Sequence, residues 1–84
     1  MKRIWKFEFV ITDEQTVSMP IGAKILHVQV QDHMPYIWAL CNPKASYESR
    51  TFRVYGTGNP VPEDSGKHIG TFQDGRYIWH LFEV

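Results

Sequence analysis

Apolar and polar residues alternate along most of this chain, and the period is two. In IWKFEFVI, Trp5, Phe7, Phe9 and Ile11 fall on one side, while Lys6, Glu8 and Val10 fall on the other. That pattern, rich in aromatic and β-branched residues, predicts a half-buried strand. TDEQT then turns the chain. Thr12 and Gln15 have the spacing of a capping box, but Met19-Pro20 follows too closely for more than one helical turn. MPIGA reads as a second turn, with Pro20 fixing φ and Gly22 free to take a positive one. AKILHVQVQ alternates again, which predicts Leu26, Val28 and Val30 on one face and His27, Gln29 and Gln31 on the other. PYIWALC is apolar on both faces, as a central or interface strand is.

The second half repeats the pattern. CNPKASYES reads as a loop with room for one helical turn, and SRTFRVYG as a strand with Phe52 and Val54 opposite Arg53 and Tyr55. Pro60 and Pro62 exclude regular pairing from NPVPEDSG. In HIGTFQDGRYIWHLFEV, Asp74-Gly75 between two apolar runs predicts a type I′ hairpin. A two-residue loop there pairs Phe72 with Tyr77, Ile69 with His80 and Gly70 with Trp79, so that the indole would lie over bare glycine backbone. Six or seven short strands without repeats predict an all-β fold, a small antiparallel β-sandwich or barrel forming a single domain over residues 1–84.

Length sharpens this picture. A chain of 84 residues buries only about 60–65% of the surface its unfolded form exposes, and small folds recruit disulfides, metals or oligomerisation to compensate. The single cysteine, Cys41, rules out an internal disulfide framework and reads as a small buried hydrophobe in a reducing compartment. Nine basic and nine acidic residues give a formal net charge of zero, which argues against a duplex nucleic-acid partner reliant on counterion release. No apolar run has the length of a membrane span, and charges interrupt the first apolar segment, so neither membrane association nor a signal peptide is expected.

The pattern IWKF, MPIGAKILHVQVQ, YIWALCNP, RTFRVYGTGNPVP, HIGTF and WHLFEV resembles a family of very short proteins of unknown function encoded by bacteriophages and prophages. The resemblance spans nearly the whole chain, with GTGNPVP and HIGTF its most specific parts. It implies a phage origin and a location in the cytoplasm of an infected bacterial host. It transfers no catalytic or binding residue.

Candidate chemistry is sparse. GTG lacks the Gly-Lys-Ser/Thr tail of a P-loop, and no GxGxxG runs from a strand into a helix. A glycine bend can still converge backbone N–H groups on an anion. Arg53, Tyr55, Gly56, Thr57 and Gly58 together suggest a phosphate site with a stacking ring, against the plainer reading of a strand end with glycines at positive φ. His27, His33, His68 and His80 show no metal-ligand spacing, and Cys41 lies in no nucleophile motif. Neither Glu63-Asp64 nor Asp13-Glu14 has the setting of an acid–base pair, so no enzyme, metal or cofactor is expected.

The runs PYIWALC and RYIWHLFEV carry Trp38 and Trp79 with apolar groups on both faces. The second face needs cover from another layer, another copy, a host protein or a flat ligand. The leading expectation is a non-catalytic homo-oligomer that sequesters a small anionic, nucleotide-like ligand through Arg53, Tyr55, Gly56, Thr57 and Gly58, with Trp38 or Trp79 as stacking partners. A module that inhibits a host or defence protein through a strand edge is the alternative, and a single-stranded nucleic-acid binder a weaker one.

Overall fold

A computed structural model describes residues 1–84. Seven strands form in chain order: β1 (Arg3–Glu8), β2 (Gln15–Pro20), β3 (Lys24–Gln31), β4 (Met34–Cys41), β5 (Tyr47–Gly56), β6 (Lys67–Asp74) and β7 (Tyr77–Glu83). They pair antiparallel in two sheets, one ordered β1-β4-β3 and the other β2-β5-β7-β6. The fold is an all-β sandwich, as the alternation predicts.

Strand β2 replaces the turn and helical residues expected around Gln15. Local capping spacing loses to tertiary burial: Met19 is fully buried and Val17 packs on the core while the segment pairs with β5. Pro20 is tolerated because β2 is an edge strand and Pro20 is its last residue. The helical turn foreseen after Asn42 is a β-turn, in which Ala45 N–H donates to Asn42 O at 3.1 Å and Lys44 N–H to Asn42 Oδ1 at 3.0 Å.

In β3 a bulge between Ile25 and His27 overturns the expected facing of Leu26. Ile25 packs on the core instead, and Leu26 is left 45% exposed. The β3–β4 loop, Asp32-His33, has both residues at positive φ (51° and 69°), the backbone of a type I′ turn.

The β6–β7 hairpin is offset from the predicted pairing. Its loop is Gly75-Arg76, with Asp74 opposite Tyr77, Phe72 opposite Trp79, Thr71 opposite His80 and Gly70 opposite Leu81. Only Gly75 in the loop has positive φ (60°), which is the II′ pattern, not I′. Both registers keep the apolar faces aligned, because each residue's partner moves by two. Periodicity therefore cannot tell them apart, and the turn type decides. Trp79 does meet a glycine, but from the other side: its partner on β5 is Gly56.

The core lies between the sheets. Phe9, Met19, Val28, Ile37, Phe52, Val54, Phe72 and Leu81 are buried there, with Ala23, Ala39 and Cys41 filling the gaps. Phe9 and Phe72 meet edge-to-face across it, ring centroids 5.5 Å apart at 86°. The sheets approach most closely where β3 meets β6, because Gly70 has no side chain to strike Val28 Cγ1.

Gly66 closes the other end. At φ +89°, a Cβ there would overlap Glu83 O. Gly58 has the same φ, +89°, with open space around it, so the two share a backbone penalty and differ only in the clash. In urea titrations Gly58→Ala is expected to cost about 1–2 kcal/mol and Gly66→Ala about 2 kcal/mol more. Equal costs would contradict the close contact of Gly66 with Glu83 O.

Candidate functional site

The residues singled out from the sequence occupy three separate surfaces. Arg53 and Tyr55 alternate with buried Phe52 and Val54 along β5, which puts both on the outer face of the four-stranded sheet, and Thr57 follows on the same side. Arg53 Nε donates to Glu14 Oε1 at 2.9 Å, and Tyr55 stands edge-on to Phe82 with centroids 5.4 Å apart. The Glu14 carboxylate, followed by Tyr55, raises the Arg53 pKa above its ordinary value. Trp79 is on the inner face, packed against the core, with its Nε1–H buried and lacking an acceptor. Trp38 is on the outer face of the three-stranded sheet, beside Tyr36 and His27.

The glycine bend has largely consumed its own backbone. Thr57 N–H donates to Ile78 O at 3.2 Å and Asn59 N–H to Gly56 O at 3.1 Å. Gly56 lies under the indole, where an added Cβ would be 3.2 Å from Trp79 Cζ3 and 3.0 Å from Asn59 Nδ2. Of the two glycines only Gly58 has positive φ. Gly56 is therefore glycine for close packing against tryptophan, and Gly58 for the turn.

The hairpin offset assembles a polar chain beside Tyr55. Thr57 Oγ1 lies 3.1 Å from Ile78 O, an acceptor only, so the hydroxyl donates there and accepts from His80 Nε2–H at 2.9 Å. His80 Nδ1 is then the acceptor for the Thr71 hydroxyl at 2.9 Å, and Thr71 Oγ1 accepts from His68 Nε2–H at 3.2 Å. No carboxylate joins this chain to make an acid–base pair, and no three His, Cys, Asp or Glu side chains gather as a metal site. His27, in the three-stranded sheet, has its Nε2 2.9 Å from Oε1 of Gln29 on the same strand.

The largest concavity is elsewhere, between the sheets where β3 and β6 approach. It measures about 410 Å³ and is bounded by the β2–β3 turn, β5, β6 and the end of β7. Both β-bulges border it, and Ile25 and Ile69 at those bulges supply its apolar wall. Arg50 forks onto Glu83 through Nε at 2.6 Å and Nη2 at 2.7 Å, while Nη1 donates to Ala23 O at 2.6 Å. The pair is mostly shielded, and hydrogen bonding to Glu83 raises the Arg50 pKa above its ordinary value despite the opposing effect of burial. Three of the five guanidinium N–H groups are engaged, which leaves two. Lys24, Lys67 and His68 complete the lining, and neither lysine has an ion-pair partner. These residues are scattered through KILHV, ESRTF and GKHIG, and no spacing in the sequence announces them. A second hollow of about 360 Å³ near Arg3 and Lys44 is also basic, but it is bordered by Met1 and the Asn42 turn and has no apolar wall comparable to this one.

Cys41 is fully buried at the end of β4, its Sγ 3.4 Å from Ala39 O, and burial pushes its thiol pKa above the ordinary 9.0. It packs as the small hydrophobe expected from sequence.

The chain belongs to the family described as domain of unknown function (DUF7352), whose model matches residues 1–84. Comparison with curated proteins yields no match, and comparison with solved structures yields none either.

Because the folded Cys41 pKa lies above the unfolded one, the buried thiol's contribution is intact below about pH 9 and declines as pH climbs beyond it. Unfolding midpoints of the wild type are expected to fall more steeply than those of Cys41→Ala once the pH rises past about 9. Parallel slopes would refute this.

Proposed function

We propose that the protein is a non-catalytic binding module that sequesters a small anionic, nucleotide-like ligand in the cleft between its sheets. The observation that carries this reading is the pair of unpartnered lysines, Lys24 and Lys67, flanking Arg50 in the largest cavity of a chain with zero formal net charge. Ammonium groups supply charge to a phosphate, and the two free guanidinium N–H groups supply directed donors. Ile25 and Ile69 offer an apolar wall to a flat ring, and about 410 Å³ falls in the range of small-ligand sites. Arg53 is the weaker anchor because Glu14 already neutralises it, and the bend at Gly56–Gly58 has few free N–H groups.

Binding alone would lower the free ligand concentration by mass action. The resemblance to phage and prophage proteins supports a setting in the cytoplasm of an infected bacterium, with the ligand a signal in a host or defence process. A second reading, a module that inhibits a host or defence protein, is favoured by the apolar exposure of Ile4 (59%) and Met34 (36%) around Tyr36 and Trp38.

Titration calorimetry with pyrophosphate and with mono-, di- and cyclic nucleotides tests the proposal. Lys24→Ala and Lys67→Ala are each expected to weaken binding about tenfold, while Arg53→Ala leaves it unchanged. Loss with Arg53→Ala alone would move the site to the glycine bend. Absence of heat with every compound, together with one stoichiometric protein in a pull-down, would replace this reading with the second.

A further inference from the structure

A two-sheet sandwich has four edge strands, and here they differ. Strand β3 is interrupted by the bulge at Ile25–His27 and β6 by the bulge at His68–Gly70, and the two edges lie against each other. Strand β2 ends in Pro20, which has no N–H, and its outward residues Thr16 and Ser18 are polar. Bulges, prolines and mutual cover are the devices by which sheets avoid edge-to-edge association. Strand β1 has neither bulge nor proline, and its register with β4 is unbroken from Arg3 to Glu8.

The direction of its backbone groups follows from two flanking contacts. Phe9 N–H donates to Pro35 O on the β4 side at 3.1 Å. Val10 faces the other way, and its N–H and C=O are both taken by the Gln15 carboxamide, at 3.0 and 2.6 Å. Alternation along β1 then leaves the N–H and C=O of Ile4, Lys6 and Glu8 on the open edge. The side chains beside that edge are under-covered as well. Trp5 and Phe7 face the core yet are only partly buried, and Ile4 is 59% exposed. The accessible surface of 5612 Å² exceeds the roughly 5,200 Å² typical of a compact monomer of this mass.

We infer that β1 is a self-association edge, where a second copy adds antiparallel about a two-fold axis at Phe7 to make one continuous six-stranded sheet. The charges select a second copy as occupant. Lys6 and Glu8 lie two apart on one face, so an antiparallel copy in this register sets each Lys6 opposite the other copy's Glu8, and each Glu8 opposite a Lys6. A register displaced by one residue would pair outward with inward side chains. One displaced by a full pleat would set Lys6 against Lys6. The Lys6 ammonium now rests on exposed contacts in its own sheet, Gln31 Oε1 at 2.8 Å and the Tyr36 ring at 4.4 Å, which it exchanges for the carboxylate. The cleft, at the β3–β6 side, stays open in both copies.

Sedimentation equilibrium and amide exchange test this on the intact protein. The expected result is a dimer of twice 9.8 kDa, with the amides of Lys6 and Glu8 gaining protection as concentration rises, while Trp5 and Phe7 are protected throughout. Ile4 gains none, because it faces the other copy's Val10, whose backbone groups Gln15 already holds. Lys6→Glu and Glu8→Lys are each expected to weaken association about tenfold, and the double charge swap to restore it. Both side chains are exposed, and circular dichroism checks that each variant folds. A monomer at every concentration would overturn the inference, as would a dimer indifferent to the charge variants. So would a monomer that captures a different protein along β1.

Discussion

The close approach of β3 and β6 is the contact on which the rest of the molecule depends. Two sheets in so short a chain have one side on which they can meet, and Gly70 lets them meet by presenting no Cβ to Val28. Phe9 and Phe72 interlock behind that point, and the fully buried Phe52, Ile37 and Leu81 fill the interior. A larger residue at Gly70 would push against a buried valine, with the cost of overpacking a dense interior. The same approach sets the two bulges side by side and so shapes the cleft they border.

Unused donors are the reason the cleft is proposed as the anion site in preference to the glycine bend. A nest holds an oxygen only with N–H groups not already bonded. At the bend, Thr57 and Asn59 donate to carbonyls of the protein itself, and Arg53 is matched by Glu14. The cleft is lined by Lys24, Arg50 and Lys67 with one carboxylate, Glu83, and that carboxylate occupies Arg50. Local charge imbalance, invisible in a net charge of zero, is what distinguishes the two places.

The outer faces differ in kind. The four-stranded sheet turns outward a hydrogen-bonded sequence of Thr57, His80, Thr71 and His68, which satisfies its polar groups internally. The three-stranded sheet turns outward Tyr36, Trp38 and Leu40, only partly covered by neighbours. Trp38 has only Lys6 on β1 and His27 on β3 as its direct neighbours on that face, and they leave the rings partly exposed. Assembly along β1 would widen the narrower sheet, the one short of cover.

Much of the architecture was legible from sequence because period two is a property of each strand alone. The alternation of Trp5, Phe7 and Phe9, the apolar inner row of β4 and the turn at Gly75 all follow from local chemistry. Cys41 as a buried hydrophobe was legible for the same reason. Strand β2 was not: Val17 and Met19 do alternate with Thr16 and Ser18, but the run is short and lies between the turn-like residues 12–15 and Pro20, so its strand character shows only in its pairing with β5 and the burial of Met19. The bulge at Leu26 and the offset of the last hairpin were hidden too: an inserted residue or a shift of two leaves the apolar pattern readable in either register. The sequence could name Arg53, Tyr55 and the glycine pair as neighbours along the chain. Only folding could pair Arg53 with Glu14, lay Gly56 beneath Trp79, and gather Lys24, Arg50 and Lys67 around one cleft. Proximity along a strand is local, whereas proximity across two sheets depends on register and on how closely those sheets can pack.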